Sequence, residues 1–262
     1  VCASRIATHA ALAACVAILL AHTALCAWRW RRVCAALGIG APAGRDALRW
    51  TALGVLISQA LPSSVGGDAY RIAAHGRREG YRAAARSVLH DRVNGLWVLA
   101  VLAVPGLALA SALAPLAVLV AAFVLGLPAA AWALARWPAL AGEARAARTL
   151  LASPPILATS AAIHAMTILA VATLAAGTAE GLWLPLALLA PFAMLAAALP
   201  VSFGGWGMRE AVFVLAGQAL AVPAADALAV SVAYGVLLLV GAAAGALAWI
   251  LLPGAAPAES TS

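Results

Sequence analysis

The chain has 262 residues, of which 66% are hydrophobic and 10% are charged, and its mean hydropathy is +1.03. A soluble domain has about a quarter charged residues, so this composition excludes a soluble globular protein and indicates a polytopic membrane protein. The net charge of +7 comes from sixteen Arg, no Lys and nine acidic residues. Most of the Arg lie in short stretches between apolar segments, which the positive-inside effect explains better than nucleic-acid binding does.

Five apolar segments are predicted to cross the membrane. A helix needs about 20 apolar residues to span a hydrocarbon core of ~30 Å. The first segment ends in Trp28-Arg29-Trp30-Arg31-Arg32, an aromatic and basic cluster that is typical of a membrane interface. The predicted spans are 5–28, 93–110, 114–135, 155–177 and 225–252, and residues 253–262 are predicted to form a disordered tail.

A repeated motif ends two shorter apolar segments. Residues 61–71 read Leu-Pro-Ser-Ser-Val-Gly-Gly-Asp-Ala-Tyr-Arg, and residues 199–209 read Leu-Pro-Val-Ser-Phe-Gly-Gly-Trp-Gly-Met-Arg. Seven of the twelve positions from 60 to 71 match their counterparts 138 residues later, with Pro, Ser, Gly-Gly and Arg in register. This indicates an internal repeat. Each copy breaks an apolar segment and then starts a new helix with an Arg in its first turn, as a discontinuous membrane helix does.

The first copy is predicted to form a re-entrant hairpin. Residues 47–61 are too short for a full crossing. A full crossing would also carry the six Arg of residues 68–92 to the far side of the membrane. A helix that turns at Gly66-Gly67 and rises 1.5 Å per residue regains its starting interface within about ten residues. That distance places Arg77 and Arg78 at the interface from which the chain entered.

The second copy, formed by residues 183–199 and 207–221, is predicted to enter from the opposite face. The positive-inside effect assigns the Arg-rich stretches 29–49, 71–92 and 136–148 to the cytoplasm, and the C-terminus falls on the same side. Three full crossings separate the two copies. Because this number is odd, the two hairpins face opposite sides of the membrane.

The predicted fold class is therefore an all-α polytopic membrane protein with about five full spans plus two re-entrant hairpins. Its single transmembrane domain, residues 1–252, is an inverted repeat of span, re-entrant broken hairpin and span. Repeat one covers residues 5–110, repeat two covers 155–252, and 114–135 form the inverting connector. Discontinuous helices that meet near the midplane are a transporter layout. Because lipid cannot satisfy their free backbone groups, the breaks must be buried in protein or line a wet cavity.

Each Gly-Gly-x-x-x-Arg block is a candidate anion site. Arg71 and Arg209 follow the breaks, where a helix N-terminus offers free N–H groups and a partial positive charge. The anion most available to a membrane protein is a lipid phosphate. In the alternative interpretation these arginines form closed structural ion pairs, Arg71 with Asp68 and Arg209 with Glu210. The candidate lipid- and anion-binding residues are Ser64, Gly66, Gly67, Asp68, Arg71, Ser202, Gly204, Gly205, Arg209 and Glu210.

Two acidic residues and one tripeptide have open roles. Asp68 is either the N-cap of its helix or a proton carrier. Glu210 is either a coupling residue or the local partner of Arg209. The tripeptide His90-Asp91-Arg92 is a secondary candidate that lies where a span meets the cytoplasm, so we expect an interfacial ion cluster. It shares its letters with the protein-kinase catalytic loop, but the rest of that signature is missing.

The sequence indicates neither a metal site nor a cofactor. All four Cys precede residue 35, and they lack the paired short spacing of a metal site or a disulfide. No nucleophile–base pair stands out either. We therefore predict no metal, no cofactor and no nucleic-acid partner, and we expect transport rather than catalysis.

The two Gly-Gly blocks, together with His90-Asp91-Arg92 and Asn94-Gly95, resemble the flippase-like integral membrane family that includes the transmembrane region of lysylphosphatidylglycerol synthase. The resemblance runs over roughly residues 25–252. It implies a multi-pass protein of a bacterial or archaeal inner membrane. Such a protein moves, or helps to modify, a phospholipid, a polyprenyl-linked sugar or a hopanoid-type lipid.

Two functional hypotheses follow. In the first, the protein is a lipid translocator whose hairpins line a central cavity, with Arg71 holding the headgroup phosphate from the cytoplasmic side and Arg209 from the other side. In the second, it is a non-transporting membrane subunit that presents lipid to a separate glycosyl- or aminoacyl-transferase.

Overall fold

The computed structural model describes residues 2–60, 65–109, 111–178, 181–199, 202 and 204–251, and the side chains of those between 12 and 247 except 60 and 178. These residues form ten α-helices, one 3-10 turn (Ser111–Leu113) and no strand. The prediction of an all-α polytopic fold is confirmed. The helices are α1 (Cys2–Ala36), α2 (Gly44–Ala60), α3 (Val65–Glu79), α4 (Tyr81–Ala108), α5 (Ala114–Leu134), α6 (Ala141–Leu151), α7 (Pro154–Thr178), α8 (Trp183–Ala197), α9 (Met208–Gln218) and α10 (Ala224–Leu251).

Five of the described helices, α1, α4, α5, α7 and α10, are long and apolar enough to cross a membrane. They contain the five segments predicted to span, but two of the helices are longer than the predicted spans. Helix α1 does not end at residue 28 but runs to Ala36, and α4 begins at Tyr81 rather than at residue 93. Charged residues suggested an interface at both places. Arg29 and Asp91 instead turn inward and are only 7% and 3% exposed.

Helices α2 and α3 form an antiparallel hairpin. At its open end Arg78 donates a hydrogen bond to Asp46 at 2.6 Å, which joins the end of α3 to the start of α2. At its closed end Gly67 lies so near α2 that a methyl group on it would collide with the carbonyl oxygen of Gly54. Helix α3 therefore returns to the end from which α2 started. That this hairpin re-enters the membrane from one face stays a prediction.

The prediction that Gly66 and Gly67 break the helix is wrong. Helix α3 already begins at Val65, so both glycines lie inside its first turn. The reason for glycine at position 67 is the close approach of two backbones, since neither glycine has a positive φ. The start of α3 at Val65 also changes the expected positions of Asp68 and Arg71. Asp68 lies in the first turn rather than at the N-cap, and Arg71 lies one turn deeper than predicted.

The second hairpin is built differently. Between α8 and α9 the chain reverses through Gly204, Gly205 and Gly207, whose φ angles are 54°, 85° and 84°. Glycine adopts positive φ without steric cost, so here the repeated glycines do form a turn. A Cβ on Gly204 would lie 3.1 Å from the Cα of Gln59 at the end of α2. The closed ends of the two hairpins therefore meet.

The described core contains two larger clusters of buried apolar side chains. The larger one joins α1, α4, α5, α7, α8, α9 and α10 and includes Leu19, Leu107 and Phe213. The smaller one lies between α1, α2 and α4 and contains Trp30 and Trp50.

Candidate functional site

Helices α1, α2, α3, α4, α7, α8 and α10 enclose a cavity of about 330 Å³, which we call the central cavity. It lies beside the closed end of the first hairpin. Other cavities lie near the helix ends, but this is where the polar residues from most helices converge. The ionisable and polar side chains on its wall are His22, Cys26, Arg29, Thr51, Ser58, Gln59, Asp68, Arg71, Asp91, Arg92, His164, Thr167 and Tyr234.

Asp91 of α4 forms ion pairs with two arginines of this wall. One carboxylate oxygen accepts a hydrogen bond from Arg29 Nε of α1 at 2.9 Å. The other accepts one from Arg71 Nη2 of α3 at 3.0 Å. Removing one partner of a buried ion pair leaves an uncompensated charge and is strongly destabilising. Asp91 therefore couples the first span, the first hairpin and α4 to one another.

The charge chain continues from Arg71 to the cavity mouth. The Arg71 Nη1 atom lies 3.7 Å from Asp68, which also forms a short ion pair with Arg92. Guanidinium and carboxylate groups thus alternate from Arg29 through Asp91, Arg71 and Asp68 to Arg92. Three guanidinium groups and two carboxylates leave this chain with an excess of one positive charge.

A layer of neutral polar groups supports the charged chain. Arg29 Nη1 donates to Ser160 Oγ at 3.2 Å, and Ser160 donates in turn to the Asn94 amide oxygen at 2.7 Å. His164 Nε2 lies 2.9 Å from the carbonyl oxygen of Gly95. A Cβ at Gly95 would lie 2.8 Å from Arg29 Nη1. These contacts fix the buried end of Arg29 between α4 and α7.

Several polar atoms on the wall have no partner within the described part of the chain. These are Arg71 Nε, Thr51 Oγ1 and Gln59 Oε1, all buried. Buried polar groups are nearly always hydrogen-bonded to protein or to ordered water. Together with the charge excess, these atoms indicate a site for water or for a polar anionic ligand.

The arginine of the second hairpin is in a closed environment. Arg209 is 1% exposed, and its Nη2 atom lies 2.6 Å from Glu210 Oε1. Ser231 donates to the same carboxylate oxygen at 3.0 Å. The guanidinium carbon lies 5.0 Å from the ring centre of Trp206 and 5.6 Å from that of Tyr234. The Tyr234 side chain, which lines the cavity, therefore lies next to Arg209.

The closed ion pair of the alternative interpretation is thus present at Arg209 and Glu210. At the first hairpin the pair of Arg71 and Asp68 is also present, but it is long and it faces the cavity. Whether either arginine binds a lipid phosphate stays a prediction. The two sites nevertheless differ in access, because only the first of them lines the central cavity among the described residues.

A comparison with protein families decides the affiliation. Residues 4–245 match the lysylphosphatidylglycerol synthase TM region. The chain belongs to this family. A search of curated proteins and a search of solved structures gave no significant match. Family membership confirms the resemblance that the Gly-Gly blocks suggested, and it identifies a multi-pass membrane protein of a family associated with membrane lipids.

In this family member the predicted site residues separate into two groups. Gly67, Asp68 and Arg71 line the central cavity, as do Asp91 and Arg92 of the secondary set. Ser64 lies outside the described residues. The remaining predicted residues are absent from the described part of the cavity wall; they are Gly66, His90, Ser202, Gly204, Gly205, Arg209 and Glu210.

The expectation of an interfacial ion cluster at His90-Asp91-Arg92 is wrong for its middle residue. Consecutive residues of a helix point in different directions. His90 faces α6, where its Nε2 atom lies 2.9 Å from Glu143. Asp91 points inward, and Arg92 reaches toward Asp68 at the cavity mouth. Of the three, His90 is the one that contacts an exposed carboxylate, Glu143.

The sequence interpretation missed the contribution of α1 to the site. Arg29 was assigned to an interface anchor, yet it donates to Asp91 in the interior. A signal was present in the spacing, because His22, Cys26 and Arg29 are separated by four and three residues and share one helix face. A polar stripe on a span predicts a face that is turned toward the protein.

Proposed function

We propose that the protein translocates a membrane lipid across a bacterial or archaeal inner membrane and binds the headgroup phosphate in the central cavity. The observation that carries the proposal is the excess positive charge of the cavity wall, combined with buried donors that lack a partner among the described residues. In this account the Arg-rich helix ends and the C-terminus face the cytoplasm. The chain transports and does not catalyse.

Arg71 is the residue best placed to hold the phosphate. Its Nη2 atom is bound to Asp91, Nη1 has the long contact to Asp68, and the guanidinium carbon lies 4.2 Å from the ring centre of Trp30. The Nε atom has no hydrogen-bond partner among the described residues. The Nε–H can donate a charge-assisted hydrogen bond to a phosphate oxygen, and such bonds are shorter and stronger than neutral ones. A singly charged phosphate would balance the excess positive charge of Arg29, Arg71 and Arg92. Thr51 and Ser58 on α2 add hydroxyl groups to the same wall.

In this proposal the second hairpin binds the phosphate from the other face of the membrane. Alternating access in an inverted repeat exposes one half of the binding site at a time. In the structure Arg71 faces a cavity while Arg209 is sealed by Glu210, Trp206 and Tyr234. We expect the pair of Arg209 and Glu210 to open when the cavity opens to the other face, so that Arg209 takes over the phosphate there.

The test is lipid translocation by purified protein in liposomes. A phospholipid with a fluorescent acyl chain is placed in both leaflets, and chemical quenching from outside reports transfer between them. We expect Arg71→Gln to lose translocation, because a charge-assisted hydrogen bond of about 1.5–3 kcal/mol corresponds to roughly ten- to a hundred-fold in affinity. Arg77→Gln is the matched control, since this arginine is exposed on the same helix and does not line the cavity.

Two results would contradict the proposal in different ways. Translocation by Arg71→Gln at the wild-type rate would exclude the phosphate site. Lipid binding by the wild type without any translocation would favour the second hypothesis, a subunit that presents lipid to a separate glycosyl- or aminoacyl-transferase.

A further inference from the structure

A second cavity lies on the other side of α4. Helices α4, α5 and α6 enclose about 390 Å³, which we call the lateral groove. Its walls are apolar and include Leu89, Val93, Leu127, Leu134 and Leu140. The groove is separate from the central cavity because the two are lined by different faces of α4.

The lateral groove adjoins a polar pocket. This pocket, of about 540 Å³, lies at the junction of α3 and α4 and includes Glu79 and Tyr81. The groove and the pocket share the side chains of Arg82, Arg86 and Glu143. An apolar channel that ends in a polar pocket with a common rim has the form of a site for an amphiphile. A free phosphate or a soluble metabolite would leave the apolar part of this space unfilled.

The charged side chains of the polar pocket indicate which charges a bound headgroup would carry. Arg86 Nε lies 2.9 Å from the Glu143 carboxylate, so these two charges neutralise each other. Hydrogen bonds from His90 and Arg86 lower the pKa of Glu143, which keeps this carboxylate ionised at neutral pH. Arg82 has no hydrogen bond or ion pair with any described residue. The Glu79 carboxylate accepts one hydrogen bond within the described chain, from the neutral backbone N–H of Gly40 at 3.0 Å.

We propose that the lateral groove and the polar pocket together bind one zwitterionic phospholipid, with an acyl chain among the leucines, the phosphate at Arg82 and a headgroup ammonium at Glu79. One uncommitted cation and one carboxylate without a charged partner fit a headgroup that carries both signs. An anionic phospholipid would satisfy Arg82 but would bring a negative charge near Glu79. The site is separate from the central cavity and does not depend on the proposed translocation.

The test uses the purified full chain in detergent and native mass spectrometry. Phosphatidylethanolamine is the zwitterionic probe, and phosphatidylglycerol is the anionic probe. We expect the wild type to retain phosphatidylethanolamine in preference to phosphatidylglycerol. Arg82→Gln should lower the affinity for both probes by about two- to five-fold, as is typical of partly exposed charge pairs. Glu79→Gln should lower the affinity for phosphatidylethanolamine only.

Matched variants test the apolar part of the site. Ala130 lines the lateral groove, whereas its neighbour Ala129 is also exposed but does not line it. Ala130→Trp should fill the groove and reduce lipid retention more than ten-fold, because each buried methylene contributes about 0.8 kcal/mol. Ala129→Trp and Arg77→Gln should retain the lipid. Arg71→Gln should still retain one phosphatidylethanolamine, because this variant removes only the proposed phosphate donor of the central cavity.

Three outcomes would overturn the proposal. The first is equal retention of both probes by the wild type. The second is retention in Ala130→Trp that matches Ala129→Trp. The third is a Glu79→Gln variant with unchanged selectivity. Elution of every variant as a single monodisperse species shows that a loss of lipid is not a loss of fold.

Discussion

The two hairpins carry the same Gly-Gly-x-x-x-Arg motif but use it differently. In the first hairpin the glycines are helical, and Gly67 permits the close approach of α2 and α3. In the second hairpin Gly204 and Gly205 have positive φ and form a turn. An equal pattern of residues has therefore produced two local conformations, and in both of them an arginine follows on the next helix.

The arginines differ as much as the glycines do. Arg71 takes its principal partner, Asp91, from another helix, and it borders an open cavity. Arg209 takes its partner Glu210 from the adjacent position of its own helix and is only 1% exposed, although both guanidinium groups lie near aromatic rings. The ion pair of Arg71 can be broken by a relative movement of α3 and α4, because its partner lies on another helix. The ion pair of Arg209 does not depend on such a movement, because its partner lies on the same helix. This difference is the basis of the predictions below.

The largest effect is expected at Asp91. In Asp91→Ala both Arg29 and Arg71 lose their carboxylate, so two guanidinium groups are left in the interior. We expect the free energy of unfolding to fall by about 3–5 kcal/mol, the usual cost of breaking a buried ion pair. Thermal unfolding in detergent measures this cost. A melting temperature equal to that of the wild type would show that the two arginines do not depend on Asp91.

A double-mutant cycle distinguishes the closed pair from the open network. Arg209→Ala and Glu210→Ala should each destabilise the protein, while the double variant should recover up to about 3 kcal/mol because neither charge is then left alone. Adding Arg71→Ala to Asp91→Ala should give a smaller recovery, because Arg29 still lacks its carboxylate. Similar coupling energies in the two cycles would remove the difference between the hairpins.

The close approach of α2 and α3 is tested at Gly67. In Gly67→Ala the new methyl group would meet the backbone of Gly54, which cannot move aside as a flexible side chain can. We expect a cost of about 1–3 kcal/mol in thermal unfolding, as for overpacked cores. Gly126→Ala on α5 is the matched control, since its Cβ meets nothing within 4 Å. A Gly67→Ala variant as stable as this control would contradict the close packing of the first hairpin.

The smallest effect is expected at the open end of the first hairpin. Arg78 and Asp46 form an ion pair there, but the Arg78 side chain is 59% exposed. Exposed pairs typically contribute about 0.2–1 kcal/mol. Arg78→Ala should therefore change the melting temperature little and should keep translocation. A loss comparable to that of Asp91→Ala would mean that the open end is as important as the buried centre.

Much of the fold could be predicted from local sequence, because span length and apolar composition are local properties. The five spans and the repeated motif were found in this way. The ends of α1 and α4 could not be placed, because Arg29 and Asp91 were assigned to membrane interfaces when each was considered alone. They are 62 residues apart, and their mutual neutralisation in the interior becomes visible only in three dimensions.

Part of the candidate site could also be predicted from the sequence. The motif indicated Arg71 and Asp68 because Pro and Gly-Gly mark a break and an arginine near a helix start is unusual in an apolar chain. It could not indicate that Arg209 is enclosed by Trp206 and Tyr234, since these contacts depend on how α10 packs. The contributions of Gln59 and His164 to the cavity wall likewise follow from the arrangement of helices and not from any motif.

The central claim is that Arg71 is the phosphate-binding group of the cavity while Arg209 is held closed by its neighbour. Equilibrium binding of a phospholipid, measured together with thermal stability on detergent-purified Arg71→Gln and Arg209→Gln, each carrying Ala130→Trp to block the lateral groove, tests it most directly. Arg71→Gln leaves Asp91 with Arg29 and Asp68 with Arg92, so it should stay folded and lose at least about ten-fold in affinity. Arg209→Gln should lose stability and keep its affinity per folded molecule. Unchanged binding in Arg71→Gln, or a greater loss of binding in Arg209→Gln, would contradict the claim.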